Sequence, residues 1–294
     1  MPILLLFVFN WFVLFVVLYI GDSFWHPRMT PALAIQMAGV AFVLICATAF
    51  LFNSFAGQWF LRLLSGARNA IGREQTKLDP VIAQVQESIQ EQLGLPPIAV
   101  KLMVVDEPLP NAFAVGKGTL IVSRALYETA EDDELGAVIA HEFGHLHHGD
   151  SHRLGIALGV SLISLLIAAV SGLIATFCGA LVKNAGKGKE MGPVIFIFSI
   201  FPAMLAAIFW VFVQMGTGVL RLINLFVGRK QEYAADRFAV TIGYGAGLLA
   251  YLDKIKNMQF GKPTTILDRL YATHPPIMLR IGELEKMMEA DGDE

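Results

Sequence analysis

The chain has 294 residues, of which 55% are hydrophobic and 16% are charged, and its formal net charge is −3. Because soluble domains carry about 25% charged residues, this composition excludes an ordinary soluble protein and favours membrane spans, and the slight negative charge argues against a nucleic-acid-binding protein. Two cysteines, Cys46 and Cys178, lie inside apolar runs, and two isolated thiols exclude a zinc ribbon or a disulfide framework.

Two uncharged runs begin the chain, at residues 1–21 and 29–61. Since about 20 residues cross the hydrocarbon core, we expect one membrane span in 1–21 and a second at about 33–53. The first run lacks the basic start and small-residue exit of a cleaved signal peptide, so it is interpreted as a retained anchor. Residues 1–61 are therefore predicted to form a domain of two N-terminal transmembrane helices.

A basic flank follows the second run and consists of Arg62, Arg68, Arg73 and Lys77. Because positively charged flanks stay on the cytoplasmic side of a membrane, the polar stretch that follows is expected in the cytoplasm. This stretch, 62–153, is predicted to be the first part of a domain that lies outside the bilayer.

Local patterns divide this polar stretch into elements. Apolar residues at helical spacing predict a helix over 82–93 that ends at Gly94. Alternating β-branched residues predict a strand at 98–105, and two short strands at 111–115 and 119–123 flank a Gly-Lys-Gly turn. We therefore expect a small β-sheet beside the helices.

The next predicted helix carries the sequence HEFGH and ends at Gly149, with Thr129 and Asp132 interpreted as its capping box. His141 and His145 are four residues apart and share a helix face, so both rings can bind one metal ion, and Glu142 lies close enough to act on a water bound to that metal. These are the working parts of a zinc peptidase. By chance, HExxH arises in roughly one per cent of such chains, so the motif needs support from the rest of the sequence.

Two further apolar runs, 154–182 and 193–220, predict another pair of membrane helices within a domain at 154–228. The alternative is a hairpin that dips into one leaflet. In either case residues 229–294 form the second part of the domain that carries HEFGH.

A catalytic zinc ion needs a third protein ligand and one open position. Glu232 and Asp236 are four residues apart on a predicted helix, so Glu232 can supply that ligand and Asp236 can accept the far N–H of a ligand histidine, with His141 preferred. The alternative is an ordinary solvated helix face. Three other histidines are interpreted as interfacial or surface residues: His147, His148 and His152.

Four motifs together resemble the HtpX and CAAX-prenyl-protease family of integral-membrane zinc metallopeptidases. They are NAFAVG at 111–116, HEFGHxxxGD at 141–150, ExxxD at 232–236 and THPP at 273–276. The resemblance covers nearly the whole chain in motif order and spacing. It implies a mainly α membrane protein with about four transmembrane helices and a gluzincin-type α+β zinc peptidase domain that contains a small β-sheet.

The resemblance also implies roles for individual residues. One Zn²⁺ per chain is expected, with the ligands His141, His145 and Glu232. Glu142 is the expected general base, and His274 matches a histidine that would donate a hydrogen bond to the transition state. Arg280 falls where relatives often have an arginine, without an assigned role.

The candidate substrate-binding strand is 111–115. An exposed edge strand binds an extended peptide by backbone pairing, so four residues are candidates for this contact: Asn111, Ala112, Phe113 and Ala114. The alternative is a strand with no role beyond the sheet.

The expected function is that of a membrane-embedded zinc metalloendopeptidase, in which Glu142 activates a zinc-bound water. The expected substrates are peptides or misfolded or damaged membrane proteins, cut at the cytosolic side of a bacterial inner membrane. Three alternatives stay open: a protease that cuts inside the bilayer, a membrane zinc transporter and an inactive scaffold. The charged flanks of HEFGH argue against the first, the absence of a sequence repeat argues against the second, and the intact Glu142 argues against the third.

Overall fold

A computed structural model of the chain describes residues 2–23, 30–185, 192–256 and 276–292. The chain divides into two compact units, and each is discontinuous in sequence. The membrane unit comprises Met1–Phe52 and Ile156–Asn224, and the second unit, here called the site unit, comprises Asn53–Gly155 and Leu225–Glu294. The domain boundaries expected after residues 61, 153 and 228 stay predictions.

The described chain is mostly helical and has one small sheet, as the sequence predicts. The helices are α1 (Pro2–Ser23), α2 (Pro31–Asn53), α3 (Phe55–Leu64), α4 (Arg73–Leu93), α5 (Arg124–Thr129), α6 (Asp132–His148), α7 (Asp150–Ala185), α8 (Gly192–Thr241), α9 (Gly245–Ile255) and α10 (Ile277–Gly292). The strands are β1 (Arg68–Asn69), β2 (Lys101–Val105), β3 (Ala112–Val115) and β4 (Thr119–Ser123).

Three described helices are long and apolar enough to cross a membrane, at Ile3–Asp22, Pro31–Asn53 and Asp150–Leu181. They confirm long apolar helices at three of the predicted spans, and their crossing of a membrane stays a prediction. The fourth predicted span, 193–220, falls within α8, whose apolar stretch among the described residues is the shorter Pro202–Val211. A fourth crossing therefore stays a prediction.

The sheet has the strand order β1-β2-β4-β3. Strands β3 and β4 pair antiparallel, which confirms the predicted hairpin, and β2 pairs parallel to β4. Strand β2 is shorter than the predicted 98–105, because β4 begins at Thr119 opposite Lys101 and residues 98–100 have no β4 residue beside them. Strand β3 lies at the edge of the sheet.

Helix α6 is the centre of the site unit and packs against α4, α9 and β3. Its Leu135, Ile139 and Phe143 side chains are fully buried, and Val85 of α4 is buried with them in the same core. A helix that is covered on several faces cannot shift easily, so any side chain that it presents to a site is held in place.

The start of α6 differs from the expected cap. Glu131 and Glu134 form the capping box, and the Glu131 N–H donates to Glu134 Oε2 at 2.9 Å. The predicted pair, Thr129 and Asp132, was wrong because Thr129 still belongs to α5, where its hydroxyl donates to the Ala125 carbonyl. The predicted end of the helix is confirmed, since Gly149 caps α6 in the left-handed region at φ 71°.

Candidate metal centre

Helix α6 presents His141 and His145 from consecutive turns. Their ring centroids are 4.8 Å apart and the ring planes are nearly perpendicular, at 89°. His141 is buried and His145 is nearly so. Residues four apart on a helix face the same way, so both rings point towards one neighbouring element.

That element is the last part of α8, which carries Glu232 and Asp236, one turn apart. Close approach of the two helices depends on Gly144. A Cβ atom built at Gly144 would lie 3.0 Å from Ala235 Cα, so a larger side chain there would separate α6 from α8. Gly144, which lies between His141 and His145, therefore faces Ala235, which lies between Glu232 and Asp236.

The Nε2 atoms of both rings face Glu232. His141 Nε2 lies 3.5 Å from Glu232 Oε2, and His145 Nε2 lies 3.4 Å from Glu232 Oε1. One ligand atom from each of the three residues can be chosen so that all lie within 4.8 Å of one another. Among the described residues, these three side chains form the cluster that could hold a metal ion.

The Nδ1 atoms of the two rings face two other carboxylates. His141 Nδ1 lies 2.8 Å from Asp236 Oδ1, and His145 Nδ1 lies 3.2 Å from Asp150 Oδ2. An Nδ1–H that donates to a carboxylate leaves the Nε2 lone pair available and fixes the ring orientation. Gln231 in turn donates to Asp150 Oδ1 at 2.6 Å, which holds this carboxylate in place.

Arg280 on α10 lies beside the same cluster. Its guanidinium donates to both oxygens of Asp236, and it lies 3.4 Å from His141 Nδ1 and 3.6 Å from Glu232 Oε2. The side chain is buried. Its positive charge partly offsets the negative charge of the acids around the cluster.

Burial and charge act in opposite directions on the histidines. Burial and the Arg280 cation lower the pKa of His141, but the Asp236 and Glu232 carboxylates outweigh them and raise it above its ordinary value. Burial likewise lowers the pKa of His145, whereas Asp150 and Glu232 raise it to about 10. The surrounding acids therefore favour a positive charge in the cluster, from a proton or a metal ion.

Glu142 connects the cluster to the edge strand. The Ala114 N–H of β3 donates to Glu142 Oε2 at 2.8 Å, and Glu142 is buried. Neighbouring Ala112 donates its N–H to the Asn111 side-chain oxygen at 2.8 Å. Ala112 and Ala114 thus direct their N–H groups away from β4, towards the edge of the sheet, where the side-chain oxygens of Asn111 and Glu142 accept them.

The remaining predicted residues are placed as follows. Phe113 is half-buried on β3. His147 stacks on Phe238 with ring centroids 5.4 Å apart, and His148 is exposed. His274 lies outside the described residues.

Three contributors to the cluster were not assigned roles from the sequence: Gly144, Asp150 and Arg280. The signal for Asp150 is its position directly after the helix-ending Gly149, where the chain folds back beside the last turn of α6. No local sequence pattern indicates a role for Arg280, because it is far from both histidines in the sequence. It lies near them only because α10 packs beside α6 and α8.

The chain is similar to known proteins of one peptidase family. The profile of peptidase family M48 matches residues 74–288. Proteins named "Protease HtpX homolog" are similar over most of the chain. One from Listeria monocytogenes serotype 4a (strain HCC23) is 27% identical and covers 94% of this chain and 93% of its own. One from Acidiphilium cryptum (strain JF-5) is 27% identical and covers 93% of each chain.

A third such protein, from Dictyoglomus thermophilum, is 30% identical over 74% of this chain and 73% of its own. Among solved structures, the crystal structure of S. mikatae Ste24p is 19% identical with a TM-score of 0.48. That match covers 92% of this chain and 61% of the Ste24p chain.

Proposed function

Because the chain belongs to peptidase family M48, we propose that it is a membrane-embedded zinc metalloendopeptidase of the gluzincin type. The observation that carries the proposal is the convergence of His141, His145 and Glu232 on one point, with both Nδ1 atoms held by carboxylates. Two imidazoles and one carboxylate, with room for a fourth ligand, are the donor set of a hydrolytic zinc site.

The separations within the cluster are compatible with one bound metal ion. Ligand atoms that lie about 2.0–2.1 Å from one zinc ion at tetrahedral angles are about 3.3 Å apart. Each Nε2 atom lies near this distance from a different oxygen of Glu232, at 3.4 Å from Oε1 and 3.5 Å from Oε2, and one ligand atom from each of the three residues lies within 4.8 Å of the others. We therefore assign His141, His145 and Glu232 as the ligands of one Zn²⁺ per chain, with Asp236 and Asp150 as the groups that orient the histidines.

When bound, zinc lowers the pKa of a coordinated water towards about 7 and polarises a peptide carbonyl. Glu142 then accepts the proton of the attacking water at a carboxylate oxygen and delivers it to the leaving amine. The Ala114 N–H supports this assignment because it holds one oxygen of Glu142 at 2.8 Å, so the side chain is kept in one position. His274 is proposed to hydrogen-bond the oxyanion.

The edge position of β3 supports an endopeptidase, because the outward carbonyls of Ala112 and Ala114 can accept N–H groups of a strand-like substrate beside Glu142. Asn111, Ala112, Phe113 and Ala114 are proposed to line this peptide site. Backbone hydrogen bonds do not depend on the identity of the substrate's side chains. They therefore suit substrates that have an extended conformation in common but no common sequence. Misfolded or damaged membrane proteins are substrates of this kind.

We further propose that the site unit faces the cytoplasm of a bacterial cell at the inner membrane, and that α8 contains a fourth crossing. The basic flank that begins at Arg62 supports the cytoplasmic side. Both histidines lie on α6, which is not one of the three candidate spans of the described chain. This favours cleavage outside the bilayer over the intramembrane alternative.

The proposal is tested with the purified full-length protein in detergent. Wild type is expected to cut casein, to lose activity with a chelator and to regain it with zinc. Glu142→Gln is expected to retain bound zinc but lose cleavage by at least about 100-fold, because a glutamine amide cannot accept the proton. Wild-type cleavage by this variant would overturn the role of Glu142.

The ligand assignment needs a separate measurement, because an inactive variant can still bind metal. Glu232→Ala is expected to lower zinc content, measured by elemental analysis, whereas exposed Glu87→Ala on α4 is the matched control. Equal zinc content in the two variants would remove Glu232 from the site.

A further inference from the structure

Helix α3 exposes its apolar side chains. Phe55 is 81% exposed, Trp59 is 56% exposed and Leu63 is 62% exposed. These residues recur every fourth position, so they form one stripe along the helix. A helix of a soluble domain buries its apolar stripe in the core, and α3 does the reverse.

The side of α3 that adjoins this stripe packs on the β3–β4 hairpin through Gln58 and Arg62. Gly57 is buried, and the Gln58 side chain lies so close to Gly116 in the turn that a Cβ atom there would approach Gln58 Cδ to 2.9 Å. Arg62 Nε donates to the Thr119 hydroxyl at 3.0 Å. The polar side chains of α3 are therefore directed at protein, and its apolar stripe is directed away from it.

The position of α3 in the chain indicates what covers this stripe. Ser54 is the single residue between α2, a candidate membrane span, and α3. Its hydroxyl accepts from the Gly57 N–H and caps α3, so the chain turns here instead of continuing as one helix. One residue advances the chain by about 3.8 Å at most, so α3 begins at the depth where α2 ends.

A second span begins beside the same point. Asn53, the last residue of α2, packs against Gly155 in the first turns of α7, where a Cβ atom would lie 3.2 Å from Asn53 Oδ1. The candidate span of α7 begins at Asp150. The end of one span and the start of another thus meet immediately before α3.

We propose that α3 is an interfacial helix, with the stripe of Phe55, Trp59 and Leu63 inserted into the headgroup region of the bilayer. Tryptophan is enriched at this depth, and amphipathic helices of this kind bury their apolar face about 5–10 Å into the lipid. Gln58 and Arg62, beside the stripe, then tie the β3–β4 hairpin to the membrane surface. This inference does not depend on the proposed peptidase activity.

The test measures which solvent surrounds the stripe in the full-length protein. In a Cys46→Ser, Cys178→Ser background, single substitutions Phe55→Cys, Trp59→Cys and Leu63→Cys carry a nitroxide spin label in proteoliposomes. Gln90→Cys, at an exposed position on α4, is the matched control. Labels at 55, 59 and 63 are expected to collide more with oxygen, which concentrates in lipid, than with a water-soluble nickel chelate, and the label at 90 is expected to show the opposite preference.

Two outcomes would overturn the proposal. Labels at 55, 59 and 63 that prefer the nickel chelate as strongly as the label at 90 would place the stripe in water. Labels shielded from both reagents would show that protein covers the stripe, such as a second copy of the chain, and dipolar coupling between labels would identify that copy.

A label-free measurement guards against perturbation by the labels. Wild type and Trp59→Tyr are reconstituted in vesicles with brominated acyl chains, and their tryptophan fluorescence is compared with that in ordinary vesicles. The contribution of Trp59, taken as the difference between the two proteins, is expected to be quenched at least twofold. An unquenched contribution would contradict insertion.

Discussion

Arg280 and Asp236 form a buried, two-point ion pair: the guanidinium donates to Oδ2 at 2.9 Å and to Oδ1 at 2.6 Å. Asp236 also faces His141 Nδ1, so one carboxylate joins α10, α8 and α6. Burial raises the pKa of Asp236, but the Arg280 cation and His141 outweigh it and hold this pKa below its usual range. The carboxylate therefore stays charged where it orients His141.

Arg280→Ala is expected to destabilise the site unit. Removing one partner leaves the other charge buried and uncompensated, which costs about 3–5 kcal/mol. Arg280→Lys is expected to recover only part of the loss, because a lysine cannot donate two parallel hydrogen bonds. Thermal unfolding in detergent measures the effect against exposed Arg237→Ala. If Arg280→Ala lowers the melting temperature no more than this control does, the ion pair is not stabilising.

Asp150→Ala is expected to weaken zinc affinity by about 10–100-fold, because His145 loses the acceptor that orients its ring. Asp150→Asn keeps an oxygen near Nδ1 and is expected to lose less. Affinity is measured by competition with a coloured chelator, and exposed Asp79→Ala on α4 is the control. Unchanged affinity in Asp150→Ala would show that Gly149 and the end of α6 suffice to orient His145.

Gly144→Ala is expected to weaken zinc binding and to lower the melting temperature. The added methyl group would lie 3.0 Å from Ala235 Cα and 3.2 Å from Phe238 Cβ, so α6 and α8 must separate by a few tenths of an ångström. Overpacking of this kind costs about 1–3 kcal/mol.

The matched control is Gly282→Ala on α10, where a Cβ atom meets nothing within 4 Å. There alanine is expected to be neutral or to stabilise by up to about 1 kcal/mol, as helix propensity requires. Equal effects of the two substitutions would refute the role of close packing at Gly144.

Glu74→Gln is expected to destabilise the site unit at neutral pH but not in acid. Two hydrogen bonds from Arg68, at 2.6 and 2.7 Å, outweigh burial and hold the pKa of Glu74 below its ordinary value of 4.5. A carboxyl whose pKa is lowered on folding stabilises the fold above its unfolded pKa, and this stability is lost as the pH falls through the folded pKa.

The difference in unfolding free energy at pH 7 is expected to be about 1–2 kcal/mol, towards the lower value because Arg68 is 37% exposed. Melting temperatures of wild type and Glu74→Gln are compared at pH 7 and below pH 4. If the difference in melting temperature between the two proteins stays constant over this pH range, the Arg68–Glu74 pair contributes through its packing and not through its charge.

Local features of this chain could be predicted from the sequence, and features that depend on packing could not. The β3–β4 hairpin follows from two short apolar strands around a glycine turn, and the end of α6 follows from Gly149. The spacings of His141 with His145 and of Glu232 with Asp236 are properties of single helices. Asp150 and Arg280 reach the same cluster only because α7 and α10 pack there.

Two sequence interpretations were incomplete for physical reasons. The second span was predicted at about 33–53, close to α2, but the rest of the uncharged run 29–61 was given no helix of its own, whereas Ser54 caps α3 there. The cap of α6 was misplaced because Thr129 and Glu131 both suit a helix start, and the extent of α5 decides between them.

The two segments of the site unit are synthesised at different times, because the segment 156–224 lies between them in the sequence. Ribosomes add about 5–20 residues per second from the N-terminus, so α6 emerges several seconds before Glu232 is made. During that interval the two histidines lack the acid that they meet in the folded chain, and the cell is still synthesising the segment 156–224 that separates them. The proposed donor set of His141, His145 and Glu232 is therefore completed only after the segment 156–224 has been synthesised.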